Sequence, residues 1–441
     1  MSIKTENETE NDAGSRFEEA ILSFFSDLES LHTSHRIVGP MLYAAEVQCR
    51  NELKSIVEKH TTETEEDDGS SSMEFPDHRY LARFLELAKD LRRTERASEL
   101  VRRGVLVNMV SQFDALVGQL IRAMYRVVPE KLNSSERNVT LSELISAVSV
   151  DSVIENLIEK EVETRLRASH PDQFAWLEKA IDTPLTKDLP SWSAFIEITE
   201  RRNLYVHADG KVSDQYLKIC AKHGVPLSAD CRIGTQLEVE IKYLDDSYNT
   251  LAEIGIKLGQ VMWRKLAPNE LDEADTNLNT VAIELIKHQE YGLAERLLEF
   301  SSKYCSKRMS ERNSLNMILN QAQNFKWSGR SALCSELLSG IDWAAKSNLY
   351  QLAYAVLQDD FENAGMLMVK VGSDLTKLSY IDWPIFKDFR TTVQFAEAYK
   401  KIFGTDFLDL KEFQSLYSMA RSNWKKTKAV EELLSSDTLT T

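Results

Sequence analysis

The stretch Glu200-Arg-Arg-Asn-Leu-Tyr-Val-His-Ala-Asp-Gly210 sets a guanidinium (Arg202), an amide (Asn203) and an imidazole (His207) around the apolar triplet Leu204-Tyr205-Val206. Histidine has an unperturbed pKa close to neutrality, so His207 can take a proton from a hydroxyl at physiological pH. Arg202 can hold a phosphate through paired N–H bonds and stabilise charge gathering on its oxygens. Together they have the chemistry to hold and cut a phosphodiester. Asp209-Gly210 reads as a helix stop, so the pair sits on the last turns of a helix. Asn203 and His207, four apart, share a face, and the amide is expected to orient the ring. Arg202 and His207 lie about 140° apart on an ideal helix. They converge on one phosphate if the helix frays beyond His207, if the long arginine reaches round, or if a second subunit completes the site. A cleft between subunits is the favoured geometry.

The spacing alone is not specific, because Arg165-Leu-Arg-Ala-Ser-His170 repeats it. That second pair lies in a highly charged, solvent-type helix, with His170 followed directly by Pro171, and is set aside. The context of Arg202 is richer. Residues 105–128, VLVNMVSQFDALVGQLIRAMYRVV, are apolar almost all round and predict a central, buried helix. Asn108, Ser111 and Asp114 interrupt it at three-residue steps and so line one side. The arrangement R-N-x-x-x-H near the end of an all-α domain, within ERRNLYVHADGKVSDQYL, resembles the HEPN superfamily. Ser111-Gln-Phe-Asp114 is similar to the polar-x-x-acid element that these domains place beside the arginine–histidine pair. The resemblance spans roughly residues 79–266; the N-terminal extension and a short strand at 235–243 depart from it.

What the resemblance implies is metal-independent cleavage of RNA, with Arg202 and His207 catalytic and no cofactor. Attack by the ribose 2′-oxygen leaves a 2′,3′-cyclic phosphate and a 5′-hydroxyl, and spares DNA, which lacks that hydroxyl. Asn203 would orient His207 or the phosphate, Asp114 would pair with Arg202 or His207, and Ser111 would stand beside them. Bacterial members often act as toxins or in anti-phage defence, so an RNA-cleaving effector acting as a homodimer is the expectation. Plainer roles stand beside these. His207 can serve as a histidine meeting the dipole at a helix C-terminus, Arg202 as a salt-bridge partner of Asp114, and Ser111 as a small residue that lets helices approach. The alternative function is an inactive dimerisation scaffold whose helical repeats bind a protein partner. Intact Arg202, Asn203 and His207 favour the nuclease.

The elements that must position these residues are helical. Of 441 residues 43% are hydrophobic and 28% charged, with only 16 Gly and 9 Pro, which predicts an all-α chain of two or three domains. Residues 1–14 read as disordered, and 15–60 as a helical extension with Phe17, Ile21, Phe24, Phe25, Leu28 and Leu31 at helical steps. Residues 61–76, acidic and Ser-rich, read as a linker. Residues 77–266 form the HEPN-like bundle: helices at 79–101 and 105–128, then about 140–168, 171–181 and 193–207. The alternating TQLEVEIKY at 235–243 suggests one strand, before a closing helix. After a linker at 267–277, residues 278–434 resemble tetratricopeptide-like hairpins, with units starting near 278, 318 and 349, about 40 and 31 residues apart against an ideal spacing of about 34. A disordered tail is expected at 435–441.

A net charge of −16 argues against wrapping duplex nucleic acid or docking on an anionic membrane. Residues 79–126 nevertheless carry ten Lys or Arg against five Asp or Glu. Within that window Arg92, Arg93, Arg96, Arg102 and Arg103 are candidates to guide RNA, unless ion pairs consume them. No apolar run approaches membrane-spanning length. The five cysteines (49, 220, 231, 305 and 334) are scattered and odd in number, and no apolar signal segment precedes them, which predicts reduced thiols in a cytoplasmic protein. Cys220-x-x-His223 with Cys231 offers three soft ligands but no fourth, so no metal site is expected. No P-loop, dinucleotide glycine motif, His-Glu-x-x-His or nucleophile elbow is present.

Overall fold

A computed structural model describes residues 6–65, 71–134 and 147–407, together with Thr140 and Leu144. Among the described residues the chain is all-α apart from one small hairpin, and it divides into two compact units, residues 1–277 and 278–441.

The first unit is built around two long helices, α1 (Glu6–His60) and α2 (His78–Val127). Asp77 starts α2 by accepting the Arg79 backbone N–H at 2.8 Å. The segments read as separate helices at 79–101 and 105–128 are one. Leu106, Met109, Val110, Phe113, Leu116, Val117, Leu120, Ile121 and Met124 form its buried stripe. Contrary to the hydropathy reading, α2 is long and apolar enough to cross a membrane by length and composition. Half of its most apolar 18-residue window (mean hydropathy 1.3) is buried inside the protein.

Phe17, Ile21, Phe24, Phe25 and Leu28 of α1 are buried in the same core. Residues 15–60 are therefore part of the unit rather than an extension to it. They close on α7 (Ile241–Leu266), where Gly255 and Gly259 leave room for them. A Cβ at Gly255 would lie 2.4 Å from the Phe24 ring, and one at Gly259 2.6 Å from Ile21. Helix α1 starts at Glu6, inside the stretch expected to be disordered. Residues 1–5 lie outside the described residues.

Past His35 no residue of α1 is buried, and α2 has none before Leu87, so the paired helices extend as an exposed arm. Its end is held by a stack of His60 on Tyr80 and by strands β1 (Thr62–Glu65) and β2 (Ser71–Glu74). These pair antiparallel, Thr62 opposite Glu74, where a structureless linker was expected. Pairing satisfies backbone groups as the chain reverses between the two helices.

Three shorter helices line α2: α3 (Val150–Leu166), α4 (His170–Ile181) and α5 (Trp192–His207). Helix α6 (Asp214–Lys222) follows. The strand expected at 235–243 is absent. Only a bridge between Lys211 and Gln236 forms, because this segment doubles back on the turn after α5: Val212 N–H donates to the Thr235 carbonyl and Leu237 N–H to that of Gly210. Residues 141–143, 145 and 146 lie outside the described residues. The linker expected at 267–277 is largely helical, forming the start of α8 (Leu271–Lys287). Within it Asp275 forms an ion pair with Arg264 at 2.7 Å, and Asn277 Oδ1 accepts from Gln260 Nε2 at 2.9 Å.

The second unit is a run of helical hairpins: α8 with α9 (Tyr291–Phe300), α10 (Glu311–Trp327) with α11 (Ser331–Ser339), and α12 (Asn348–Leu357) with α13 (Phe361–Val371). Each turns through one left-handed residue, Gln289, Gly329 or Asp359. The next residue, Glu290, Arg330 or Asp360, donates its N–H back to Leu285, Phe325 or Ala355 at 2.8–3.0 Å. The same helix-ending motif thus occurs three times. A π turn at Ser301–Cys305 and a 3-10 turn at Ser306–Arg308 lengthen the first repeat, which accounts for the uneven spacing in the sequence. Arg330 clamps Glu295 through two bonds of 2.8 Å, and Lys326 donates to the Val356 and Leu357 carbonyls that end α12. Helices α14 (Lys377–Asp382) and α15 (Val393–Phe403) close the described part around Tyr380, Phe386, Phe389, Phe395 and Tyr399. The rest of the hairpin region expected to 434 and the tail expected at 435–441 fall beyond Phe407, outside the described residues.

Candidate functional site

Helix α5 carries two polar clusters. On one side, buried Glu197 accepts from Arg201 Nε at 2.7 Å, Tyr216 OH at 2.7 Å and Tyr243 OH at 2.6 Å. The Arg201 guanidinium also lies 4.0 Å from the centre of the Tyr243 ring. Burial, reinforced by the Glu197 carboxylate, pushes both phenols well above the ordinary tyrosine range, so each remains a hydrogen-bond donor. This network ties α5 to α6 and α7 and fixes which way its other side points.

On that other side Arg202 Nη2 lies 2.9 Å from Asp114 Oδ2 on α2. The Asp114 Oδ1 atom is in turn 2.9 Å from His170 Nε2 at the start of α4. His170 is buried, its ring set edge-on to Phe195 with centroids 5.5 Å apart. Arg202 keeps 20% of its side chain exposed, and its Nε is buried without a hydrogen-bond partner. Glu200 is buried beside the cluster. Desolvation raises its pKa, against the pull of His170 and Arg202 and a 3.4 Å bond from Asn203 Nδ2.

The structure therefore unites Arg202 with Asp114, the acid that the Ser111-x-x-Asp114 spacing singled out. It does not bring His207 to them. The helix stays regular through His207, and the ring is exposed with no hydrogen bond to it among the described residues. Asn203 turns to Glu200 rather than to His207, because at i−3 the carboxylate is the nearer acceptor. Ser111 is exposed and bonds back to the Val107 carbonyl at 2.9 Å, taking no part in the cluster.

His170 was the residue that sequence reasoning set aside, and it is the buried member of the cluster. Its signal was Ser169-His170-Pro171: a serine cap and a proline at the first turn start a helix there, and place the ring where α4 meets α2. After His207 the chain turns through Asp209 (φ 49°) and Gly210 (φ 79°), where a Cβ would lie 2.5 Å from the Tyr205 ring. The position admits only glycine without displacement.

The candidate RNA-guiding arginines are mostly neutralised within the chain. Arg93 pairs with Asp90 and Arg96 with Glu99, while Arg102 is taken up by the Val239 carbonyl and the Ser98 hydroxyl. Arg103 is buried between Glu99 and Asp209. Arg92 is the one of the five with no partner among the described residues. A positive stretch of sequence has become a set of pairs, since acidic residues at helical spacing and on facing elements reach Arg93, Arg96 and Arg103, and carbonyl and hydroxyl oxygens take up Arg102.

Cys220 is buried in a small apolar cluster with Leu204, Val212 and Tyr216, where burial pushes its thiol up to about 12. His223 packs edge-on to Trp192 instead. Among the described residues no three His, Cys, Asp or Glu side chains are grouped to hold a metal ion. Comparison with protein-family models, with curated proteins and with solved structures finds no match for this chain.

Proposed function

We propose that the first unit is a metal-independent endoribonuclease of HEPN type, working as a homodimer in which two copies of Arg202 and His207 face one groove. The observation that carries the reading is the Asp114–Arg202 ion pair. It holds a partly exposed guanidinium on the same helix as an exposed imidazole five residues on, a backbone rise of about 7.5 Å along the α5 axis. Within one copy the two point in different directions, so a second copy supplies the convergence. In that groove one His207 ring takes the 2′-hydroxyl proton as the 2′-oxygen attacks phosphorus. The bond to the 5′-oxygen breaks, and the leaving oxygen takes a proton from His207 of the other copy, which enters the step as the imidazolium and leaves it neutral. Arg202 binds the non-bridging oxygens, while Asp114 and His170 position it without touching RNA. The hairpins of the second unit, tetratricopeptide-like in their repeated turns, recruit or sense a protein partner. The whole acts in the cytoplasm as a toxin or anti-phage effector.

A second reading has one observation in its favour: Asp114 already occupies part of the Arg202 guanidinium, as it would in a purely structural pair. The chain would then be an inactive dimerisation scaffold. Single-stranded RNA incubated with the purified chain and excess chelator separates the two. The nuclease reading predicts cleavage that Arg202→Ala and His207→Ala each reduce by about 10²–10³-fold. Asp114→Asn, which loosens the guanidinium without removing it, reduces cleavage by roughly tenfold. An inert wild type that still dimerises establishes the scaffold.

A further inference from the structure

Where the arm leaves the first unit, two histidines of α1 are buried one turn apart. His32 Nε2 lies 2.7 Å from Asp245 Oδ1 of α7, and its ring is stacked on Tyr248 with centroids 4.1 Å apart. His35 is the last buried residue of α1, with 2% of its surface exposed. Its Nδ1 is buried without a hydrogen-bond partner. The charged and titratable groups that face it are Asp245 of α7, His32 of its own helix and Arg102 of α2. Arg102 is fixed there, Nε donating to the Val239 carbonyl at 2.7 Å and Nη1 to the Ser98 hydroxyl at 2.8 Å. The one carboxylate at the site is engaged by His32. Just beyond His35 the helix is at its weakest, because Gly39 favours it little and Pro40 gives no N–H to the turn before it. A buried ring is thus followed directly by a hinge.

We propose that His35 is a proton-operated latch on the arm: in acid its ring takes up a proton, and the root of the arm opens where α1 leaves α2 and α7. A neutral imidazole can stay in this site. An imidazolium there would be a buried cation beside Arg102, with no acceptor for its Nδ1 proton. Burial, against the pull of Asp245 and with the help of His32 and Arg102, holds the pKa of His35 below the ordinary 6.5. The closed root therefore binds fewer protons than the open one. Its stability is complete above pH 6.5 and is lost as pH falls from there towards the lower, folded value. None of the residues assigned to RNA cleavage takes part, so the latch stands or falls apart from that reading.

Hydrogen exchange of the full chain at pH 7.5 and pH 5.5, read by mass spectrometry and corrected for the intrinsic rate at each, tests it. Amides of residues 32–45 should be about five- to tenfold less protected at pH 5.5, the range open to a ring that titrates at 6.5 once released. Those of α10 and α12 in the second unit should not change. His35→Leu, neutral at both pH values, should remove the difference, and His32→Leu should keep it. If His35→Leu fails to fold, His35→Gln takes its place. Equal protection of the wild type at the two pH values overturns the proposal. So does a difference that survives the loss of His35, or one that His32→Leu abolishes.

Discussion

Glu200 is the residue whose charge sits least comfortably: its carboxyl is buried beside Arg202 and His170, and desolvation wins over both, raising its pKa above 4.5. The sign follows from linkage. A raised folded-state pKa gives stability that is complete below the unfolded pKa and is lost as pH rises through the folded value. Glu200→Gln should therefore be more stable than wild type at neutrality, with the difference shrinking towards pH 4.5. Urea unfolding midpoints at the two pH values check this, and an equal loss of stability at both would contradict it. At the same scale, the Asp114–Arg202 contact was legible because polar residues every third position on an apolar helix must share a side. The role of His170 was not. Its neighbours Arg165, Arg167 and Asp172 are charged, yet Arg165 folds onto Glu161 and Trp176 while the histidine ring turns the opposite way, among Phe113 and Phe195. Sequence spacing does not say which way a helix-start residue faces when the neighbouring helix is remote in the chain.

Among the elements, helices were readable and their ends less so. Periodicity located α2, α4, α5 and α7, because a helix buried on one side must repeat its apolar residues every three or four positions. The hairpin turns of the second unit were harder, since only Gly329 advertises a left-handed residue; Gln289 and Asp359 adopt the same backbone without glycine. A left-handed non-glycine residue costs about 1–2 kcal/mol, while glycine gives back roughly 0.5–1 kcal/mol in chain entropy. Gln289→Gly is accordingly expected to stabilise the protein by about 0.5–1 kcal/mol. Asp359→Gly should gain less, because it also gives up the 2.6 Å pair with Lys326. Denaturation midpoints of the two variants measure the difference, and destabilisation by Gln289→Gly would show that its turn is not strained. The strand misread at 235–243 has a similar origin. Alternation was present, but the bonding partners available were the turn at 208–212, which offers a loop rather than a strand edge.

For the whole molecule, composition was a sound guide to class and a poor one to electrostatics. Few glycines and prolines do mean a helical chain. The positive stretch at 79–126 does not mean a free positive face, since Arg93, Arg96 and Arg103 meet carboxylates and Arg102 meets carbonyl and hydroxyl oxygens. On the proposed nuclease reading, the outward-facing His207 makes self-association the condition of activity. Light scattering should give a solution mass of twice 50.3 kDa, with dilution to monomer abolishing RNA cleavage. A monomer that cleaves at full rate would contradict the shared groove.

The most direct test reads the ends of the RNA products made in excess chelator, beside a substrate whose cleavage-site ribose lacks its 2′-hydroxyl. Attack by that hydroxyl, drawn by His207 onto a phosphate held by Arg202, predicts 2′,3′-cyclic phosphate and 5′-hydroxyl ends, and an uncut deoxy substrate. Cleavage of the deoxy substrate, products with 5′-phosphates, or an undiminished cleavage rate in His207→Ala would contradict it.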